Sequence, residues 1–255
     1  MRNLREIWKR DEPAFGGWCT IPSAWAAEAM ARAGFDYVTV DMQHGLIGYE
    51  DMVGMVQGIH AGGGTAIVRV PWNQPDQIMR ALDAGAQGVI IPMVNSAEEA
   101  RRAAGACRYA PTGYRSWGPV RSRFMLDDYT VANANADVIC CVMVETATGV
   151  EHVDEIVSTA GVDVIYIGPN DLAVSVGAPP TYAPEGGEHR RLIETIIDAC
   201  KRHGKIAGIQ CSGADQGSMW AERGVRMASV VTDTVALLQT SRDVLSELRK
   251  AKTRQ

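Results

Sequence analysis

Short runs of β-branched and other apolar residues alternate with longer Ala-, Glu- and Arg-rich stretches from one end of this chain to the other. The runs are Phe15 to Thr20, Tyr37 to Asp41, Ala66 to Val70, Gly88 to Pro92, Val138 to Val144, Val164 to Ile167, Ile206 to Gln210 and Arg226 to Val231. A strand that is apolar throughout buries both faces, which calls for a parallel sheet covered by helices. Eight such units in 255 residues predict a single (β/α)8 TIM barrel over residues 1–255. A doubly wound open sheet is the competing architecture, but the first strand lacks the G-x-G-x-x-G turn that such nucleotide folds often carry.

The punctuation agrees with this reading. Gly34, Gly85, Gly161, Gly204 and Gly224 each fall between a helical stretch and the next strand, where glycine ends a helix in the left-handed conformation at little cost. Ser96 and Glu99 in NSAEEA predict a capping box. Gly62-Gly63-Gly64 precedes strand three, the wrong rim for a phosphate loop, and reads as a flexible connector. Two segments interrupt the rhythm, residues 108–137 and 177–188, both rich in Pro, Gly and aromatic residues. Connections of that length are usually functional, and Arg115, Trp117, Arg121 and Arg123 suit the first to a lid or a subunit contact.

Composition narrows the function classes. A net charge of −5, with no basic stripe, argues against nucleic acid as the main partner. No apolar run approaches the roughly 20 residues that span a bilayer, and MRNLREIWKRDEP is charged where a signal peptide would be apolar, so the expected location is cytoplasmic. The six cysteines form no C-x-x-C pair and read as buried, reduced thiols.

In a barrel, chemistry belongs at the C-terminal ends of the strands. Strand two ends in Asp41, Gln43 and His44; strand three carries Arg69; strand five delivers Glu145; Asp171 follows strand six. Each has an ordinary explanation: an N-cap for Asp171, a structural ion pair for Arg69, a satisfied loop residue for His44. Their coincidence on one rim outweighs those explanations. His60, His152, His189 and His203 lie in or near helical stretches, which leaves His44 as the imidazole placed for acid–base work. No lysine follows a strand, so a Schiff-base mechanism lacks its amine. The turn with Ser212, after strand seven, sits where barrels often contact a ligand.

Two carboxylates without clustered His or Cys suit a hard, oxygen-preferring cation such as Mg²⁺. Such a site has positions left for a bidentate ligand, and a 2-oxo acid fits them. Polarising its carbonyl, with help from Arg69, would stabilise an enolate.

The segment Asp41-Met-Gln-His44, the strand IVRVP with Arg69, GAQGVIIPMVNSAEEA, VMVET with Glu145 and IGPNDL with Asp171 together resemble the HpcH/HpaI aldolase family, metal-dependent pyruvate aldolases, over about Gly16 to Thr232. The resemblance implies that Glu145 and Asp171 hold a divalent metal (Mg²⁺, Mn²⁺ or Co²⁺). It also implies that Arg69 contacts the keto oxygen, that His44 is the base, and that Asp83 of a neighbouring subunit pairs with it. The backbone of Gly168, Pro169 and Asn170 would receive the substrate carboxylate. Apart from the resemblance, position at the rim makes Gln43 and Ser212 candidate further substrate contacts and Asp41 the group that orients His44 or its turn. A homohexamer built as a trimer of dimers, with a C-terminal helix exchanged between subunits, is implied by the resemblance too. Many members carry Glu at the position of Gln43 and several carry Gln at that of Met143.

The expected activity is a carbon–carbon lyase joining pyruvate or hydroxypyruvate to an aldehyde to give a 4-hydroxy-2-oxo acid. Decarboxylation of an oxo diacid such as oxaloacetate would pass through the same enolate. A non-catalytic barrel that binds keto acids is the alternative from a different class.

Overall fold

The computed structural model describes residues 3–182, 184 and 186–252. Each predicted apolar run is a strand. The first half reads α1 (Leu4–Lys9), β1 (Ala14–Cys19), α2 (Ala24–Arg32), β2 (Tyr37–Asp41), α3 (Tyr49–Ala61), β3 (Ala66–Arg69), α4 (Pro75–Asp83), β4 (Gly88–Ile91) and α5 (Ala97–Cys107). A 3-10 turn at Ser122–Phe124 and α6 (Val131–Asp137) lie inside the segment expected to be a long loop. The second half runs β5 (Ile139–Val144), α7 (Ala147–Glu151), α8 (Val153–Val157), β6 (Val164–Ile167), α9 (Pro169–Ser175), α10 (Gly187–His203), β7 (Ile206–Gln210), α11 (Ala214–Glu222), β8 (Val225–Thr232) and α12 (Asp233–Lys252).

Neighbouring strands pair in parallel in chain order, and β8 returns to pair with β1, closing the barrel. Closure divides the apolar side chains into two cores. One set of strand residues, including Val38, Val68, Val89 and Ile165, packs outward against the helices. The other, including Tyr37, Ile67, Ile90, Cys141, Tyr166 and Met227, fills the barrel. Helix α1 closes the bottom: Leu4 joins the interior core, Ile7 and Trp8 pack against it, and Trp8 Nε1 donates to the Arg226 carbonyl at 2.8 Å. Each large side chain taken fully out of water contributes about 1.5–3 kcal/mol.

Gly34, Gly85, Gly161, Gly204 and Gly224 all have φ between 63° and 102°, as predicted. Ser96 Oγ accepts from Glu99 N at 3.2 Å, but the Glu99 carboxylate accepts from Asn95 N at 2.6 Å, so the capping box is displaced by one residue. Gly62 and Gly64 are not merely a flexible connector. A Cβ at either would come within 2.7 or 2.8 Å of the Ala31 Cβ, so these glycines let α2 and the end of α3 approach closely. The cysteines are buried free thiols. No helix among the described residues is long and apolar enough to cross a membrane.

Candidate active site

Strand alternation explains which residues meet at the top of the barrel. Side chains two apart share a face. Tyr37 lies in the barrel interior, so Asp41 points inward at the end of β2; the same count carries Ile67 to Arg69, Met143 to Glu145, and Tyr166 to Gly168. Asp41, Arg69, Met143, Glu145 and Gly168, with His44, Pro169, Asn170 and Asp171, line one cavity of about 310 Å³.

Asp41 organises one side of it. Its carboxylate accepts from Arg69 Nε at 2.8 Å and Nη2 at 2.6 Å, and from Trp18 Nε1 at 3.1 Å. The Arg69 guanidinium also lies 4.8 Å from the Trp18 ring centroid. Asp41 Oδ1 further accepts from Gln43 N at 3.0 Å and His44 N at 3.3 Å, so the same carboxylate fixes both the arginine and the turn bearing His44. Burial pushes the Asp41 carboxyl upward, but Arg69, Trp18 and the His44 backbone outweigh it and hold the group below its ordinary range. His44 itself is exposed at the mouth.

Glu145 organises the other side. It is 2% exposed, and its Oε1 accepts from Met93 N at 2.8 Å. Met93 has φ 57°, a left-handed backbone uncommon outside glycine that aims this N–H at the carboxylate. Burial raises the Glu145 carboxyl to about 7, with the Met93 N–H opposing and Asp171 adding to the rise. A Cβ on Gly168 would lie 2.4 Å from Glu145 Oε2, so only glycine leaves this carboxylate room. Asp171 stands in the first turn of α9.

A buried carboxylate beside a second one, with little compensation, is an arrangement that a cation would stabilise. Both donors are hard oxygens, and no group of three or more His, Cys, Asp or Glu suited to a metal occurs among the described residues. The pair therefore fits a hard divalent ion that keeps several waters, and not a site built from thiolates or imidazoles.

Three expected contacts fall outside the cavity. Gln43 follows the last inward residue of β2 and does not line the cavity; its Oε1 is buried without a hydrogen-bond partner among the described residues. Ser212 is exposed, and its N and Oγ meet Gln216 Oε1 at 2.9 and 3.0 Å, which ties it to the first turn of α11. Asp83 ends α4 at the opposite end of the barrel, where it accepts from Arg115 Nη2 at 2.6 Å. The segment 108–137 follows it there: Arg121 N donates to the Asp83 carbonyl and Arg121 Nη1 to that of Ala84, so this segment is no lid over its own chain's cavity.

Other residues enter the site unannounced. Tyr182 from the second long connection lines the cavity, as do Trp18, Thr20, Met143, Gln210, Thr232 and Val235. His189 touches this lining from outside the cavity. It opens α10, is 6% exposed, and its ring bonds the Pro169 carbonyl, which partly offsets the burial that lowers its pKa. For Trp18 and Gln210 the signal in the sequence was a position at or near the C-terminal end of an apolar run, which does not tell which way the side chain faces.

The model of the HpcH/HpaI aldolase/citrate lyase family matches residues 15–239. A hydroxypyruvate/pyruvate aldolase of Rhizorhabdus wittichii is 35% identical over 98% of this chain and 99% of its own. A 4-hydroxy-2-oxo-heptane-1,7-dioate aldolase of Escherichia coli is 32% identical over 91% of this chain and 89% of its own. A solved structure of an HpcH/HpaI aldolase/citrate lyase family protein from Burkholderia cenocepacia superposes with a TM-score of 0.90 at 31% identity, covering 98% of this chain and all of that one. With the barrel, the site and these matches in agreement, the chain belongs to the HpcH/HpaI aldolase/citrate lyase family.

Proposed function

We propose that this chain is a divalent-metal-dependent aldolase that forms and cleaves the C3–C4 bond of 4-hydroxy-2-oxo acids, with pyruvate or hydroxypyruvate as donor and an aldehyde as acceptor. The observation that carries the reading is the meeting of Arg69, His44, Glu145 and Asp171 in one cavity. When bound between Glu145 and Asp171, Mg²⁺, Mn²⁺ or Co²⁺ supplies Lewis-acid polarisation of the 2-oxo carbonyl.

The protein's own groups do the rest. Arg69, paired with Asp41 and lying over the Trp18 ring, offsets the negative charge that develops on the keto oxygen. The backbone around Gly168 to Asn170 receives the substrate carboxylate. In cleavage, His44 takes the C4 hydroxyl proton, directly or through water. The C3–C4 pair then becomes the enolate double bond, the aldehyde leaves, and the proton returns to C3. Because Gln43 is an amide and lies outside the cavity, it takes no part in this traffic.

Helix α12 supports an oligomer: Leu237, Leu238, Val244, Leu245 and Leu248 are 48–61% exposed on a single chain. We infer a homohexamer in which Asp83 of one subunit approaches His44 of another.

The test is exchange of the pyruvate methyl protons in D₂O with Mg²⁺, Mn²⁺ or Co²⁺. Exchange that stops with chelator and falls about 10²- to 10⁴-fold in His44→Ala is expected. No exchange by the wild-type protein with any of the three metals would sink the proposal.

A further inference from the structure

Gln210 closes β7, four strands around the barrel from Arg69 on β3, and both side chains line the cavity. From Gln210 toward β8 and β1 the lining residues Thr232, Val235 and Thr20 are uncharged, as is Tyr182, while Asp171 lies on the other side of Gln210, after β6. The carboxamide is held from below. Tyr166 Oη approaches Gln210 Oε1 at 3.2 Å and Ser229 Oγ at 2.7 Å, and Tyr37 Oη meets the same Ser229 Oγ at 3.1 Å. Two missing side chains make room for these rings: a Cβ on Gly16 would lie 2.2 Å from Tyr37 Cζ, and one on Gly208 2.7 Å from Tyr166 Cδ2.

The chain of hydroxyls engages the oxygen end of the amide. Its Nε2 has no partner among the described residues, which leaves two neutral N–H donors at the cavity wall. Every acidic or basic side chain of the cavity already has a task in the proposed reaction: Asp41 and Arg69 at the keto oxygen, Glu145 and Asp171 at the metal, and His44 at the C4 hydroxyl. Neutral donors on an uncharged wall match a neutral oxygen and offer a carboxylate no counter-charge.

Resting on the aldolase reading above, we propose that Gln210 determines acceptor specificity, donating a hydrogen bond to a hydroxyl oxygen so that the enzyme selects neutral hydroxyaldehydes over aliphatic ones. Tyr166, through its contact with Oε1, is the positioning residue for that amide.

Glycolaldehyde and propanal, matched in size and differing by one hydroxyl, are compared with pyruvate as donor in the wild-type protein, Gln210→Leu and Gln210→Glu. The readout is the ratio of the two kcat/KM values within each protein, so general damage cancels. The ratio is expected to shift toward propanal by about fivefold in Gln210→Leu, the value of one neutral hydrogen bond, and to stay nearer the wild type in Gln210→Glu, whose carboxylate can accept from the same hydroxyl. A ratio within twofold of wild type in Gln210→Leu overturns the role of Gln210. That outcome is distinct from absence of pyruvate proton exchange in the wild-type protein, which overturns the aldolase reading itself.

Discussion

Replacing Glu145 by glutamine should stabilise the metal-free protein above neutral pH while removing its affinity for a divalent cation. In the wild type, burial lifts this carboxyl from an ordinary 4.5 to about 7. The folded state then binds the proton more tightly than the unfolded chain, so stability falls as pH rises between those values and the loss is complete above about 7. Each pH unit of that interval is worth about 1.4 kcal/mol, for a total of about 3 kcal/mol. Glutamine has the same shape, keeps an oxygen for the Met93 N–H, and carries no charge to bury. Denaturant unfolding in EDTA should therefore give similar stabilities at pH 5 and an advantage of about 3 kcal/mol for Glu145→Gln at pH 8. Taking the difference between the two proteins cancels every other titrating group. Saturating Mn²⁺ should reverse the order at pH 8 by binding only the wild type. A pH-independent difference in EDTA would refute the claim that Glu145 holds a costly buried charge that awaits a cation.

Three further outcomes can be checked. In Arg69→Ala, Asp41 stays buried without its partner, at a cost of about 3–5 kcal/mol. Unfolding at pH 5 and 8 should show that cost shrinking on acidification, as protonation removes the unpaired charge. Gly168→Ala places a methyl group 2.4 Å from the position of Glu145 Oε2. Calorimetric titration with Mn²⁺ should show affinity falling about 10- to 100-fold, as for other displaced ligands. Asp83→Ala strands Arg115, whose side chain is 3% exposed, and should lower Tm by several degrees. If Asp83 also serves a neighbour's site, co-refolding this variant with His44→Ala will restore activity that neither has alone.

The barrel was legible because its determinants are local. Continuous apolar runs, helical stretches between them and glycines at the helix ends each act within a few residues, and the strands appear where those runs lie. The rim position of His44, Arg69, Glu145 and Asp171 followed from the same reasoning, since a residue at the C-terminal end of a barrel strand has only one end of the molecule to occupy.

What the chain did not reveal alone is phase. A strand buried on both faces is apolar at every position, so its pattern carries no mark of which side chains face the barrel and which face the helices. That choice is made when β8 closes onto β1, and it brings Trp18 and Gln210 into the cavity while leaving Gln43 and Ser212 outside. His189 was passed over for a similar reason: it sits on a helix, but on the turn of α10 packed against Pro169. Sequence alone determined the fold and the rim on which the candidate site residues gather; closure of the barrel decided which side chains at that rim face the cavity.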